Sequence, residues 1–187
     1  MPRKKAAEKK EVKPLAELLV NKIVIEEGYN ELLEKAYGKV YGKRLELSFV
    51  EALYLIENNK IALMKGGKEI GFNKLLNMGL SLDERLHERF IVYEDLRERG
   101  LRVKTGFKFG CDFRVYKRGV SGDRRGPKSA GEHTRWIVSV VPEDYTCSFH
   151  ELSRAVRLSH SIRARMLWAV VDSENNVTYY EVLRLRP

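Results

Sequence analysis

The spacing Ser-x-x-Glu opens three long helix-like runs in this chain, at Ser48/Glu51, Ser81/Glu84 and Ser148/Glu151. In a capping box the serine hydroxyl accepts the N–H of the third helical residue and the glutamate returns to the serine N–H, so each occurrence predicts a helix start. The first would open a helix through FVEALYLIENN. The second would open DERLHERFIVYEDLRER, stopped by Gly100 in the C′ position, and the third HELSRAVRLSHS. Helices anchored at fixed points among β-branched runs leave a mixed fold as the only class that accommodates the whole sequence.

Those β-branched runs fill the gaps. VNKIVIEE (20–27) reads as a strand, 29–36 as a short helical piece, YGKVYGK as a turn, and IALMKGGKEIGF as a hairpin about Gly66-Gly67. Beyond Gly100 come three short β-rich runs, LRVKTG, FKFG and CDFRVYK, then a polar loop from Arg118 to Glu132 and the strand TRWIVSVVP. MLWAVVD and NVTYYEVLRL, joined by the turn SENN, close the chain as two strands. The economical packing is an α/β (α+β) architecture with a boundary in or near the end of the 82–99 helix. This gives an N-terminal α/β domain over 16–90 and a C-terminal domain over 91–187, a sheet crossed by a helix. Residues 1–15 precede them as a basic tail. Residues 1–13 hold six basic and two acidic side chains with almost no apolar content, so the segment is expected to be disordered.

The formal charge of the 187 residues is +9, of which that tail carries +4. A basic body with a basic arm suits a polyanion such as nucleic acid, although solubility alone would account for the same charge. No apolar run approaches the roughly 20 residues that span a bilayer. The N-terminus is charged where a signal peptide is apolar, so the expectation is a cytoplasmic protein with no membrane contact. Cys111 and Cys147 show no CxxC spacing and read as reduced, packed thiols.

In CDFRVYK, alternation puts Phe113 and Val115 on one face and Asp112, Arg114 and Tyr116 on the other, which reads Tyr116 as a polar rim residue. The loop that follows carries Lys117, Arg118, Arg124, Arg125 and Lys128 among glycines, a pattern that suits phosphate contacts and equally a solvated loop. His133 ends it, a competent proton donor if a substrate oxygen is close. On the helix after Ser148, Leu152, Ala155, Val156 and Ser159 form an inward stripe, with Arg154, Arg157 and Ser161 on the other side. A metal-dependent nuclease would need Asp112 followed by Glu-x-Lys on the next strand. Val115-Tyr116-Lys117 stands there instead, and the four histidines show no ligand spacing, so no metal and no cofactor are expected.

Five runs carry a family resemblance: YGKVYGKRLELSFVEALYL, FIVYEDLRERGLRVKTGFKFGCDFRVYKRG, GEHTRWIVSVVPED, LSRAVRLSHSIRARML and VVDSENNVTYYEV. Over roughly residues 20–187 the chain resembles the archaeal tRNA-splicing endonuclease. The resemblance implies a small N-terminal α/β domain followed by a restriction-endonuclease-like nuclease domain with a mixed sheet. It implies tetrameric or pseudo-tetrameric assembly and metal-independent cleavage of bulge–helix–bulge RNA in precursor tRNA, leaving a 2′,3′-cyclic phosphate and a 5′-hydroxyl. Tyr116 matches the family's general base and His133 its general acid. Where the family has a lysine that stabilises the phosphate, this chain has Ala164. An engineered inactivating change, a naturally weak subunit, or compensation by flanking Arg163 or Arg165 would each explain it.

The resemblance also assigns Arg157 to stacking on a bulge base, and Asp172 and Glu174 to an acidic loop that inserts into a neighbouring subunit. The loop basics Arg124, Arg125 and Lys128 would touch RNA near the cut, as in relatives that look crenarchaeal and use two different subunits. The reading is a catalytic subunit in an α2β2 assembly with a related structural subunit. The alternatives are a non-catalytic, RNA-positioning subunit and a metal-dependent DNA nuclease of the same fold.

Overall fold

A computed structural model describes residues 13–120 and 133–185. The basic tail up to residue 12 and the loop basics Arg124, Arg125 and Lys128 lie outside the described residues.

Eleven strands among the described residues form two sheets. The N-terminal sheet comprises β1 (Leu15–Leu19), β2 (Lys22–Ile25), β3 (Lys39–Tyr41), β4 (Arg44–Leu47), β5 (Ala62–Lys65) and β6 (Lys68–Glu69), in the order β3-β4-β2-β1-β5-β6. Only the β1–β5 pair is parallel. The C-terminal sheet comprises β7 (Arg102–Thr105), β8 (Phe113–Tyr116), β9 (Trp136–Pro142), β10 (Arg165–Val171) and β11 (Val177–Val182), in the order β11-β10-β9-β8-β7. Here β9 and β10 run parallel, connected by the helix α5 (Phe149–Ser161), and the other pairs are antiparallel. Both sheets are mixed. The helices α1 (Asn30–Glu34), α2 (Phe49–Glu57), α3 (Phe72–Leu80) and α4 (Leu86–Glu98) complete the fold.

Two of the three capping boxes form in full, at Ser48/Glu51 and Ser148/Glu151. The box expected at Ser81/Glu84 does not. The preceding GFNKLLNMGL makes a helix of its own, α3, and Ser81 is spent on its end, donating its hydroxyl to the Met78 carbonyl at 2.7 Å. The chain then turns before α4 begins at Leu86, the Asp83 carboxylate accepting the Arg85 N–H at 3.2 Å. Gly79 permits this tight corner, because a Cβ there would stand 2.2 Å from Leu86 Cδ2 and 2.9 Å from Phe49 Cδ1.

Other local expectations also shift. YGKVYGK, expected as a turn, supplies β3 and starts the β3–β4 hairpin. FKFG is a 3₁₀ turn (Phe107–Phe109), and β1 begins at Leu15, within the segment expected to be a tail. Gly100, with φ +75°, ends α4 as expected.

α4 packs on α2 and α3 and on the C-terminal sheet, so one apolar core runs through both halves. A line of rings crosses it: Tyr37 to Tyr54 at 6.3 Å, Tyr54 to Tyr93 at 5.7 Å, and Tyr93 to Phe113 at 5.8 Å. Tyr179 on β11 donates its hydroxyl to the Asp95 carboxylate of α4 at 2.6 Å, and burial together with that contact pushes its phenol well up.

Candidate active site

Because β9 lies between β8 and β10, three distant stretches of sequence end at the same edge of the C-terminal sheet. Tyr116 is the last residue of β8, His133 stands three residues before β9, and Ala164 immediately precedes β10. Neighbouring strands lie about 4.8 Å apart, so two strand spacings, about 10 Å, separate the end of β8 from the start of β10. The Arg135 backbone joins them. Its N–H donates to the Val115 carbonyl at 2.8 Å and its carbonyl accepts the Arg165 N–H at 3.0 Å.

The alternation in β8 holds, with Phe113 and Val115 in the core under α4 and Arg114 and Tyr116 on the opposite side. The expectation that Tyr116 is a rim residue fails. It is fully buried. The Arg114 guanidinium lies 6.0 Å from the Tyr116 ring centre and 4.9 Å from that of Phe109, steadied by its Nε donating to the Thr105 carbonyl at 3.2 Å. His133 is half-buried.

Ala164 follows Arg163, which takes a left-handed φ of +55° at the end of α5. Its N–H donates to the Ser159 carbonyl at 2.8 Å and its methyl is buried with Ile137 and Met166. Of its two arginine neighbours, Arg165 is committed to Glu181, Nη1 to Oε1 at 2.9 Å. Beyond this cluster, a cavity of about 190 Å³ runs between α5 and the sheet, lined by Cys111, Ile137, Arg154, Met166 and Trp168 among others.

The inward stripe of α5 is as expected: Val156 and Ser159 are buried, Leu152 and Ala155 half-buried, and Arg154, Arg157 and Ser161 exposed. Asp172 and Glu174 lie in the β10–β11 turn, with Asn175 at φ +65°. Asp172 is turned inward to build it. Its Oδ1 accepts the N–H groups of Asn176 at 2.8 Å and Glu174 at 2.9 Å, and the Asn176 contacts, first among these donors, hold its carboxyl below the ordinary range. Glu174 is exposed.

Asp112 would be the first carboxylate of a metal-dependent site, but its oxygens are occupied by protein donors. They take Arg89 Nη2 at 2.7 Å, the Val140 N–H at 2.7 Å and Arg85 Nη2 at 3.3 Å, a network that ties the start of α4 to the sheet. No set of three His, Cys, Asp or Glu among the described residues is grouped to hold a metal ion. Cys111 is half-buried, and burial raises its thiol to about 11; Cys147, expected to be packed, is exposed. Arg114 and Arg135 escaped the sequence reading as site residues, although period-2 alternation already put Arg114 beside Tyr116.

A family model described as the tRNA intron endonuclease catalytic C-terminal domain matches residues 86–179, and its N-terminal-domain counterpart matches 15–76. The chain belongs to the tRNA intron endonuclease family. Curated relatives named tRNA-splicing endonuclease include those of Thermococcus onnurineus, 40% identical over 84% of this chain and 86% of the relative, and Methanococcus maripaludis, 38% identical over 89% and 92%. That of Methanothermobacter thermautotrophicus is 40% identical over 81% and 84%. The match to the catalytic-domain model begins at the first residue of α4, so in the family's division this helix goes with the C-terminal sheet. No described helix is long and apolar enough to cross a membrane.

Proposed function

We propose that this chain is the catalytic subunit of a tRNA-splicing endonuclease, cutting precursor tRNA at bulge–helix–bulge motifs without a metal ion. The observation that carries this reading is the convergence of Tyr116 and His133 at one end of adjacent strands in a family member. In the proposed step Tyr116, as phenolate, takes the proton of the 2′-hydroxyl, and the 2′-oxygen attacks the adjacent phosphorus. The bond from phosphorus to the 5′-oxygen breaks, and His133 as imidazolium gives that oxygen its proton. The nucleophile is part of the substrate and already close, so no activated water is needed. The Arg114 guanidinium lies 6.0 Å from the Tyr116 ring centre. Tyr116 is sealed from solvent, so RNA engagement requires a local opening around it.

Arg157, exposed on α5, and the loop basics Arg124, Arg125 and Lys128 would hold the RNA. Asp172 and Glu174 would present the β10–β11 turn to a neighbouring subunit in an α2β2 assembly with a related structural chain. Ala164 weakens charge stabilisation at the phosphate and is the observation that favours a second reading, a non-catalytic subunit that positions RNA. The test is cleavage of an intron-bearing precursor tRNA by the assembled protein in EDTA. The proposal expects 2′,3′-cyclic phosphate and 5′-hydroxyl ends. Cleavage abolished by EDTA would instead support the metal-dependent alternative, and RNA binding without cleavage, even after Ala164→Lys, would support the positioning subunit.

A further inference from the structure

We propose that Arg135 supplies the positive charge that Ala164 does not bring to the scissile phosphate. The inference rests on the catalytic reading of Tyr116 and His133 given above.

Its basis is where Arg135 sits. The backbone is clamped between the residue before Tyr116 and the residue after Ala164, through the Val115 carbonyl at 2.8 Å and the Arg165 N–H at 3.0 Å. A phosphate between the ends of β8 and β10 therefore lies within one arginine side chain of this position. Arg163 and Arg165 belong to the approach of β10, one strand further from Tyr116.

The second ground is availability. Arg165 is paired with Glu181, Arg85 and Arg89 with Asp112, and Arg99 with Asp95, while Arg114 and Arg118 donate to backbone carbonyls. Arg135 is exposed and has no carboxylate partner among the described residues; its guanidinium rests over the Trp136 ring, 4.3 Å from the centre. Trp136 is itself held by its Nε1 donating to Glu181 at 3.0 Å. An exposed cation–π contact is weak beside a charge-assisted hydrogen bond to phosphate, so an incoming phosphodiester can draw the guanidinium away.

The third ground is chemistry. A guanidinium presents paired donors that match two phosphate oxygens, and it stays charged throughout the accessible pH range. Arg135 thus takes no proton in the step. The 2′-hydroxyl proton goes to Tyr116 and the 5′-oxygen receives one from His133, while Arg135 neutralises charge on the non-bridging oxygens. A lysine restored at 164 would make this contribution redundant, and that redundancy is the signature to measure.

Five proteins decide it, each assayed as the assembled endonuclease: the chain as it stands, Arg135→Ala, Arg135→Lys, Ala164→Lys, and the Arg135→Ala/Ala164→Lys double variant. Single-turnover cleavage of a bulge–helix–bulge RNA and RNA affinity are measured for each. Arg135→Ala is expected to slow cleavage about 100-fold in the Ala164 background, the usual cost of one donor at the reacting centre. In the Ala164→Lys background the same change should cost less than about tenfold, and Arg135→Lys should keep part of the rate. Equal losses in both backgrounds would overturn the proposal, making Arg135 a general RNA contact. So would an inactive parent beside an active Ala164→Lys variant, since Arg135 would then supply nothing. If no variant cleaves, the catalytic reading itself falls, and with it this inference.

Discussion

On the α4 side of the C-terminal sheet, Val103, Phe113, Val115, Val138, Val140, Leu167, Ala169 and Val171 join α4 and the N-terminal half in one buried core. On the α5 side of the same strands the buried cluster among the described residues comprises Ile137, Ala164 and Met166, with half-buried neighbours and a cavity of about 190 Å³. Alternation assigns successive residues to the two sides, so one strand serves both. The α4 side carries the larger core and holds the two halves together. The α5 side carries Tyr116, by the alternation of β8, and Ala164, and α5 exposes Arg154 and Arg157 on its outer surface. A protein of this size cannot relax both faces, because its net stability is a small remainder of large opposing terms.

The largest effects should separate the faces by kind. Tyr116→Phe and His133→Ala are each expected to lower cleavage by roughly 10² to 10⁴-fold in single-turnover assays. Both should leave the denaturation midpoint nearly unchanged, and a comparable loss of stability would break the division. Next, Phe113→Ala should destabilise by about 3 to 5 kcal/mol in denaturant unfolding. Leu158→Ala, half-buried on the α5 side, should cost roughly 1 kcal/mol.

A third test uses pH. Burial, then the hydrogen bond that the protonated Glu94 carboxyl on α4 donates to Glu57, and the Glu57 and Glu98 charges, raise that carboxyl to about 7. The folded value lies above the ordinary carboxylate range, so the protonated form is the one folding favours. Its contribution is present in acid and is lost as pH rises through about 7. The thermal midpoint should therefore fall between pH 6 and pH 8, and Glu94→Gln should flatten that fall. The smallest effects are those of the two caps. Ser48→Ala and Ser148→Ala should each cost about 1 kcal/mol by chemical denaturation. Only the second, which loosens the start of α5, should also weaken RNA binding.

Local rules read well wherever the cause was local. The Ser48 and Ser148 boxes, the Gly66-Gly67 hairpin, the end of α4 at Gly100 and the faces of β8 and α5 all follow from contacts within a few residues. Ser81 shows the limit, since the same Ser-x-x-Glu spacing yields to a competing helix whose C-terminus claims the hydroxyl. The segments read wrongly or overlooked, β1, β3, β4, α3 and the Phe107–Phe109 turn, draw much of their stability from partners elsewhere in the fold.

By itself the sequence determined the class of the fold and the period of each face, and it offered the candidate side chains that the cleavage assays test. Only the tertiary structure decided that Tyr116 is buried, that Arg165 is spent on Glu181, and that Arg135 stands between the ends of β8 and β10. The physical reason is strand pairing. Positions 115, 135 and 165, next to Tyr116 and Ala164, meet through backbone hydrogen bonds between residues 20 and 30 apart, and no propensity, period or cap reaches that far.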